Sequence, residues 1–239
     1  MKIAIISDIH SNLAALRQAL EYIHSENVDK IVCLGDVVGY GPRPNECVEL
    51  IRSNCQVCLM GNHDHAVLGL TDTYHFNQYA RDAVNWTSRT LTLQNKAYLE
   101  NLPFSHHENR LLFVHSTPVL PEEWHYILSE IEARHYLKSI SQRLCFVGHS
   151  HIPVIFSEKE GSLFKEEIQL DYQDQKYIVN VGSIGQPRDG DPRLCFVLLD
   201  SESGLLKFIR LEYPVQETYD EIMNNKLPPF LAMRLLAGH

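Results

Sequence analysis

Short apolar, β-branched runs that end in polar residues recur along the chain, at residues 3–7, 30–34, 56–60, 111–114, 144–147 and 177–181, and predict buried strands. Between the first two, Leu13, Leu16, Leu20 and Ile23 repeat at helical spacing, with Ser11 or Asn12 placed as N-cap. Strand, helix, strand is the start of a βαβ unit. Residues 44–54, with Val48 and Ile51 inward, supply the next crossover helix, so a parallel sheet is expected to grow through 56–60. Residues 76–101 (Tyr79, Ala83, Trp86, Leu99) and 127–140 predict an α-rich layer or cap in the middle third. The last third reads as antiparallel strands at 152–156, 166–170, 177–181, 194–199 and 205–211, consistent with a second sheet. The tail, 215–239, predicts one or two short helices split at Pro228-Pro229, packed on the core or on another subunit, which leaves a homo-oligomer open. With no repeat or linker-like stretch, a single domain over residues 1–239 is expected, of α/β class.

Composition narrows the partners. The 239 residues carry 21 Lys and Arg against 30 Asp and Glu, a formal charge of -9, so the protein's own field opposes nucleic-acid backbones and anionic membranes. Carboxylates that hold metal ions are neutralised locally, so a cationic pocket for phosphate remains open to an acidic protein. The apolar start, Met1 to Ile6, is far too short for a signal-peptide core or a membrane span, and a soluble, cytoplasmic protein is expected. The six Cys are scattered, and Cys33, Cys58, Cys145 and Cys195 lie in apolar runs, as buried thiols do; Cys55 and Cys58 read as structural filler rather than a redox or zinc pair.

The chemistry sits where the strands end. Asp8 and His10 follow the first strand, Asp36 the second, Asn62, His63 and Asp64 the third, His115 a fourth, and His149 and His151 a fifth. Taken singly, a strand-end Asp or His is ordinarily a cap or a satisfied polar residue. Together, five clusters at the carboxyl ends of strands in an open α/β sheet converge on one crevice. Carboxylate and imidazole donors in combination suit transition ions such as Mn, Fe, Zn or Co. Asp8, His10, Asp36, Asn62, His115, His149 and His151 are too many ligands for one ion and fit two if a carboxylate bridges. Two ions roughly 3.5–4 Å apart bind a shared hydroxide and clamp phosphate oxygens, so no protein nucleophile is needed. His115, alone in Phe113-Val114-His115-Ser116, is the weakest ligand of the set.

The order Asp-X-His, Gly-Asp, Gly-Asn-His-Asp, His and Gly-His-Ser-His, over residues 7–151, resembles the calcineurin-like metallophosphoesterase superfamily. Residues 7–12, 39–42 and 180–188 resemble its small prokaryotic-type members of the diadenosine-tetraphosphatase-like and phosphodiesterase-like branch. The resemblance implies a four-layer sandwich of two mixed β-sheets flanked by helices. It places Asp8, His10, Asp36 and His151 on one divalent ion and Asp36, Asn62, His115 and His149 on the other, with Asp36 as the bridge and Mn the ion of choice in an assay. It implies that His63 is the general acid to the leaving-group oxygen, supported by Asp64, while metal-activated hydroxide attacks phosphorus.

Protein Ser/Thr phosphatases of the superfamily carry an Arg just after Gly-Asp and a Glu where this chain has Asp64, so a phosphoprotein substrate is less favoured than a small phosphodiester or nucleotide-like ester. Tyr40 is expected to face the metals and Arg188 to grip a phosphate. A phosphomonoesterase, or a non-catalytic scaffold like a retromer subunit of similar fold, are the alternatives. His106 and His107 read as loop residues and His125 as surface packing; His65 is left between site and solvent; residues 180–190 read as a pocket loop. Gly148-His149-Ser150-His151 lacks the second Gly of a serine-hydrolase elbow.

Overall fold

The computed structural model describes residues 1–74 and 76–239. In chain order the strands are β1 (Lys2–Ile6), β2 (Lys30–Cys33), β3 (Val57–Cys58), β4 (Ser105–Glu108), β5 (Leu111–Val114), β6 (Leu144–Val147), β7 (Val154–Ser157), β8 (Gly161–Leu163), β9 (Glu167–Gln169), β10 (Tyr177–Asn180), β11 (Leu194–Asp200) and β12 (Leu205–Leu211). The helices are α1 (Leu13–Ser25), α2 (Pro44–Asn54), α3 (Asn62–Val67), α4 (Gln78–Thr90), α5 (Leu93–Glu100), α6 (Glu130–Ser139), α7 (Val215–Asn224) and α8 (Pro229–Ala237).

Two mixed six-stranded sheets result, in the orders β3-β2-β1-β11-β12-β9 and β4-β5-β6-β10-β7-β8. The strand pairs β1–β2 and β2–β3 are parallel, as the crossover helices α1 and α2 require, and β11 closes onto the other edge of β1 antiparallel. Alternation along β1 assigns its faces. Ile3 and Ile5 meet Phe113, Phe146 and Val179 of the second sheet, whereas Ala4 and Ile6 join Leu16, Ile23, Val48 and Ile51 of α1 and α2. On the far side, Ala133 and Leu137 of α6 cover Leu112, Cys145 and Ile178. Helices, sheet, sheet and helix thus form four layers, with the stacked rings of Phe113 and Phe146, 5.4 Å apart, at the centre.

Three expectations change. The strands of the last third do not form a sheet of their own: β9, β11 and β12 extend the first sheet, while β10 lies parallel to β6 and antiparallel to β7 in the second. The reason is burial. Leu194 to Leu199 are buried without a break, the mark of a strand covered on both faces. The helix expected over 76–101 is two, because Leu91 is extended and the side chain of Thr92 caps α5 by accepting from Asn95 N. His106 and His107 belong to β4, paired with β5, and not to a loop.

The tail folds onto the core: Ile222, Leu227, Leu231, Ala232 and Leu235 pack with Ala80 and Ala83 of α4 and with Tyr40. Asn12 is the N-cap of α1, and its amide also donates to Gly185 O and Tyr213 Oη, tying the first loop to residues late in the chain. Among the described residues no helix is long and apolar enough to cross a membrane. Phe113→Ala, which empties the interface between the sheets, is expected to cost about 3–5 kcal/mol in urea unfolding, with little change in the m-value.

Candidate metal centre and substrate pocket

The carboxyl ends of β1, β2, β3, β5 and β6 bring their following residues to one crevice. The backbone there is unusual: Asp8, His10, Asp36, Tyr40, His149 and His151 all have φ between +39° and +66°. That left-handed region is costly for non-glycine residues, and it persists only where surrounding bonds enforce it. They do so here, with Asp8 N donating to Gly35 O at 3.0 Å and His10 N to Asp36 O at 2.9 Å, so the first two loops hold each other. Gly61 lies against Asp36, where any Cβ would collide with the carboxylate.

Two groups of candidate ligand atoms form, Asp8, His10, Asp36 and His151, and Asp36, His115 and His149; within each group the atoms lie within 4.8 Å of one another and every residue is buried. Asp36 belongs to both. Its Oδ1 accepts from His63 N at 2.8 Å, while Oδ2 lies 3.5 Å from His10 Nε2 and 3.4 Å from His115 Nε2. Asn62 joins the second group, with Oδ1 3.3 Å from His115 Nε2. The Asp8 carboxylate accepts from His149 N and lies 3.2 Å from His151 Nε2.

Second contacts of the rings fix where their protons sit. Nδ1 of His10 is 3.2 Å from Val38 O, and Nδ1 of His151 is 2.6 Å from Gln186 O. A carbonyl only accepts, so each Nδ1 carries the hydrogen and each Nε2 presents a lone pair. Those two lone pairs lie 3.1 Å apart, beside the oxygens of Asp8 and Asp36. Electron-rich atoms converging without a donor repel one another, and a cation between them removes the repulsion. His149 is held the other way round, Nε2 donating to Trp124 O at 2.9 Å under a stacked Tyr126 ring 3.9 Å away, which leaves its Nδ1 as the free donor atom. The residues therefore fit divalent ions.

The titration directions agree with such a centre. Burial, reinforced by His115, holds His149 down to about 3, and burial holds His10 well below the usual histidine range. Burial alone would raise Asp36, but His115, His63 and His10 outweigh it and keep the carboxyl well below its ordinary value. His115 goes the other way: burial pulls it down, yet Asp36 and Asp8 lift it to about 9.

His63 and Tyr40 stand beside the cluster, their rings 4.4 Å apart and each within 4.8 Å of the His10 ring. His63 Nδ1 is buried and has no hydrogen-bond partner among the described residues. The ring fits only because residue 39 is glycine: a Cβ there would sit 2.6 Å from Nδ1, and φ is +105°. Burial foremost holds His63 down to about 4. The support expected from Asp64 does not run through the ring. Its carboxylate accepts from Val37 N, Val38 N and Gly61 N at 3.0–3.2 Å, pinning the loop of Asp36 to the start of α3. Burial and nearby Asp36 lift Asp64 to about 7.

A cleft of 180 Å³ opens over the cluster, lined by Tyr40, Asn62, His63, Phe76, Tyr126, Arg188 and Arg234 among others. The Arg188 guanidinium is 3.4 Å from Tyr40 Oη. Its neighbour Asp189 instead pairs with Arg210, away from the cleft. His65 is half-buried against Thr71, Phe104 and Trp124, and His125 is exposed beside Glu123. A larger cavity of 410 Å³, between Lys2, Tyr22, Asp200 and Lys207, holds none of these residues. Sequence reasoning missed Tyr126 and Arg234, neither of which follows a strand end and which only the folded chain brings to the cleft, and it missed the bond of His149 to Trp124 O.

Residues 1–204 match the calcineurin-like phosphoesterase superfamily domain, whose members use a dinuclear divalent metal site on small phosphate esters. An uncharacterized protein of Methanocaldococcus jannaschii is 43% identical over 245 aligned residues, covering 99% of this chain and 98% of that one. Among solved structures, a metallophosphoesterase from Sphaerobacter thermophilus superposes with a TM-score of 0.90 at 39% identity, over 100% of this chain and 99% of that one. A hypothetical protein from Pyrococcus horikoshii OT3 follows with a TM-score of 0.83 at 22% identity, over 100% and 98%, a likeness of fold. With a metallophosphoesterase sharing both its sequence and its four layers, and a crevice of histidines and aspartates that asks for cations, the chain belongs to the calcineurin-like phosphoesterase superfamily.

Proposed function

We propose that this protein is a dinuclear metal-dependent hydrolase of small phosphate esters, with phosphodiesters and nucleotide-like esters favoured over phosphoproteins. The observation that carries the reading is the pair of ligand groups sharing Asp36, with Nε2 of His10 and Nε2 of His151 facing one another beside the carboxylates. In this reading Asp8, His10, Asp36 and His151 hold one ion and Asp36, Asn62, His115 and His149 the other, and Mn, Fe or Zn suits the mixed donors. When bound, the ions supply Lewis acidity toward the phosphoryl oxygens and a water acidic enough to act near neutral pH.

The remaining work falls to the chain's own residues. Arg188, beside Tyr40, orients the ester by binding a phosphate oxygen, and Tyr40, Phe76 and Tyr126 give the cleft aromatic walls. His63 delivers a proton to the leaving-group oxygen. The free ring is neutral, and the anionic phosphate beside it provides the charge that lets it hold that proton. Asp64 is a positioning residue for the loop of Asp36. A scaffold would have no use for a buried ring on the wall of a cleft whose Nδ1 has no partner among the described residues, which speaks for turnover.

Asp36→Asn is expected to lose both ions and activity together, read by metal analysis of the purified variant. His63→Ala should keep the ions while lowering turnover by about 10²–10⁴, more for alkoxide than for nitrophenolate leaving groups; equal loss across a leaving-group series would remove the general-acid role. Gly39→Ala should keep the ions but displace the His63 ring, reproducing most of the His63→Ala defect in kcat. Full activity in this variant would show that the ring's present position is not the working one.

A further inference from the structure

Carbonyls orient the histidines of the first ligand group: Val38 O holds the far nitrogen of His10, and Gln186 O that of His151. The second group is built differently. His115 turns Nε2 toward Asp36 and Asn62, at 3.4 and 3.3 Å, while its Nδ1 is buried and has no hydrogen-bond partner among the described residues, so packing sets the far side of that ring. The packing comes from His149, edge-on with centroids 5.1 Å apart, and from Trp124, edge-on at 6.1 Å. His149 is itself held by Trp124 through the main chain, its Nε2 donating to Trp124 O at 2.9 Å. One residue therefore meets both histidines, the first with its ring and the second with its carbonyl.

Trp124 keeps that place within a segment that is otherwise mostly at the surface. Val119, Leu120, His125, Tyr126 and Leu128 are exposed, and Trp124 itself takes a left-handed φ of +58° just after the short helical turn Pro121–Glu123. Its indole enters a slot between His65 and Phe104, with centroids 5.7 and 5.8 Å away. Both walls belong to the Asn62 side of the centre. His65 lies on α3, which Asn62 begins, and Phe104 follows Pro103, whose carbonyl accepts from Met60 N at 2.8 Å, two residues before Asn62. Among the described residues the indole meets neither the His10 ring nor the His151 ring, which stand against each other. We propose that Trp124 is the positioning residue of the second group alone, its ring seated between His65 and Phe104 and its carbonyl on His149, so that the Asn62, His115 and His149 half of the centre can loosen without the other half. The inference rests on the dinuclear reading for what these ligands hold, whereas the hold on His149 belongs to the metal-free chain.

Two measurements on the full chain test it. After treatment with a chelator, the ring-nitrogen NMR signals of His149 are expected to show hydrogen on Nε2, and those of His10 and His151 hydrogen on Nδ1. Trp124→Ala should abolish the preference at His149 and leave the other two rings as they are, and Trp124→Phe, which returns an aromatic ring to the slot, should restore it. In calorimetric titration with Mn, the wild-type chain should take up two ions; Trp124→Ala should bind one of them about 10–100-fold more weakly and the other within about twofold of wild type. An unchanged His149 ring in Trp124→Ala, or no Nε2 preference in the wild-type chain, overturns the proposal. So does an equal loss at His10 and His151 or at both ions, which would mark a general loosening of the crevice. Trp124→Leu gives the same comparison if the alanine variant fails to fold. Fewer than two ions on the wild-type chain removes the dinuclear reading alone, since the histidine signals still decide the role of Trp124; two ions of wild-type affinity in Trp124→Ala remove that role alone.

Discussion

The constraint on which this structure turns is the meeting of the His10 and His151 lone pairs at 3.1 Å, flanked by two carboxylates and shut away from water. In a buried place, such a set is stable only with positive charge at its centre. The carbonyls of Val38 and Gln186 hold the hydrogens on the far side of the rings and keep the lone pairs pointed inward. The site is thus built by groups outside it as much as by the ligands.

Much of the fold reads as support for that meeting. Parallel strands β1, β2 and β3 deliver Asp8, Asp36 and Asn62 to the same end of one sheet, and β5 and β6 deliver His115, His149 and His151 from the other. The close packing of the two sheets around Ile5, Phe113 and Phe146 sets how near those ends approach. Left-handed residues then turn the side chains inward over a single step of backbone. The strain of those turns is balanced by loop-to-loop bonds, among which the Asp64 carboxylate, with three backbone donors, is the hub.

The strand-end residues were legible in the sequence because a strand's polar stop is a local signal, and because the carboxyl ends of strands in one sheet meet by topology alone. The βαβ start, the exact extent of the helix at 44–54 and the proline break in the tail were legible for the same local reasons. Non-local pairing was not. Nothing inside 177–181 says that it will lie parallel to β6, since that depends on which edge the folded sheet leaves open. Arg234 was hidden likewise: on a helix with an apolar face it resembles any solvated arginine, and its place over the cleft depends on α8 packing against Tyr40 and α4. Asp64, next to His63 in sequence, invited a direct role on that ring; α3 turns it toward the loop of Asp36 instead.

The most direct measurement is the transition-metal content of the purified chain, taken with its hydrolysis of bis(p-nitrophenyl) phosphate and p-nitrophenyl phosphate in the presence of Mn. About two ions per chain and metal-dependent turnover, faster on the diester, are the expected result. A chain that takes up no divalent ion and cleaves neither ester under any metal would contradict the dinuclear hydrolase.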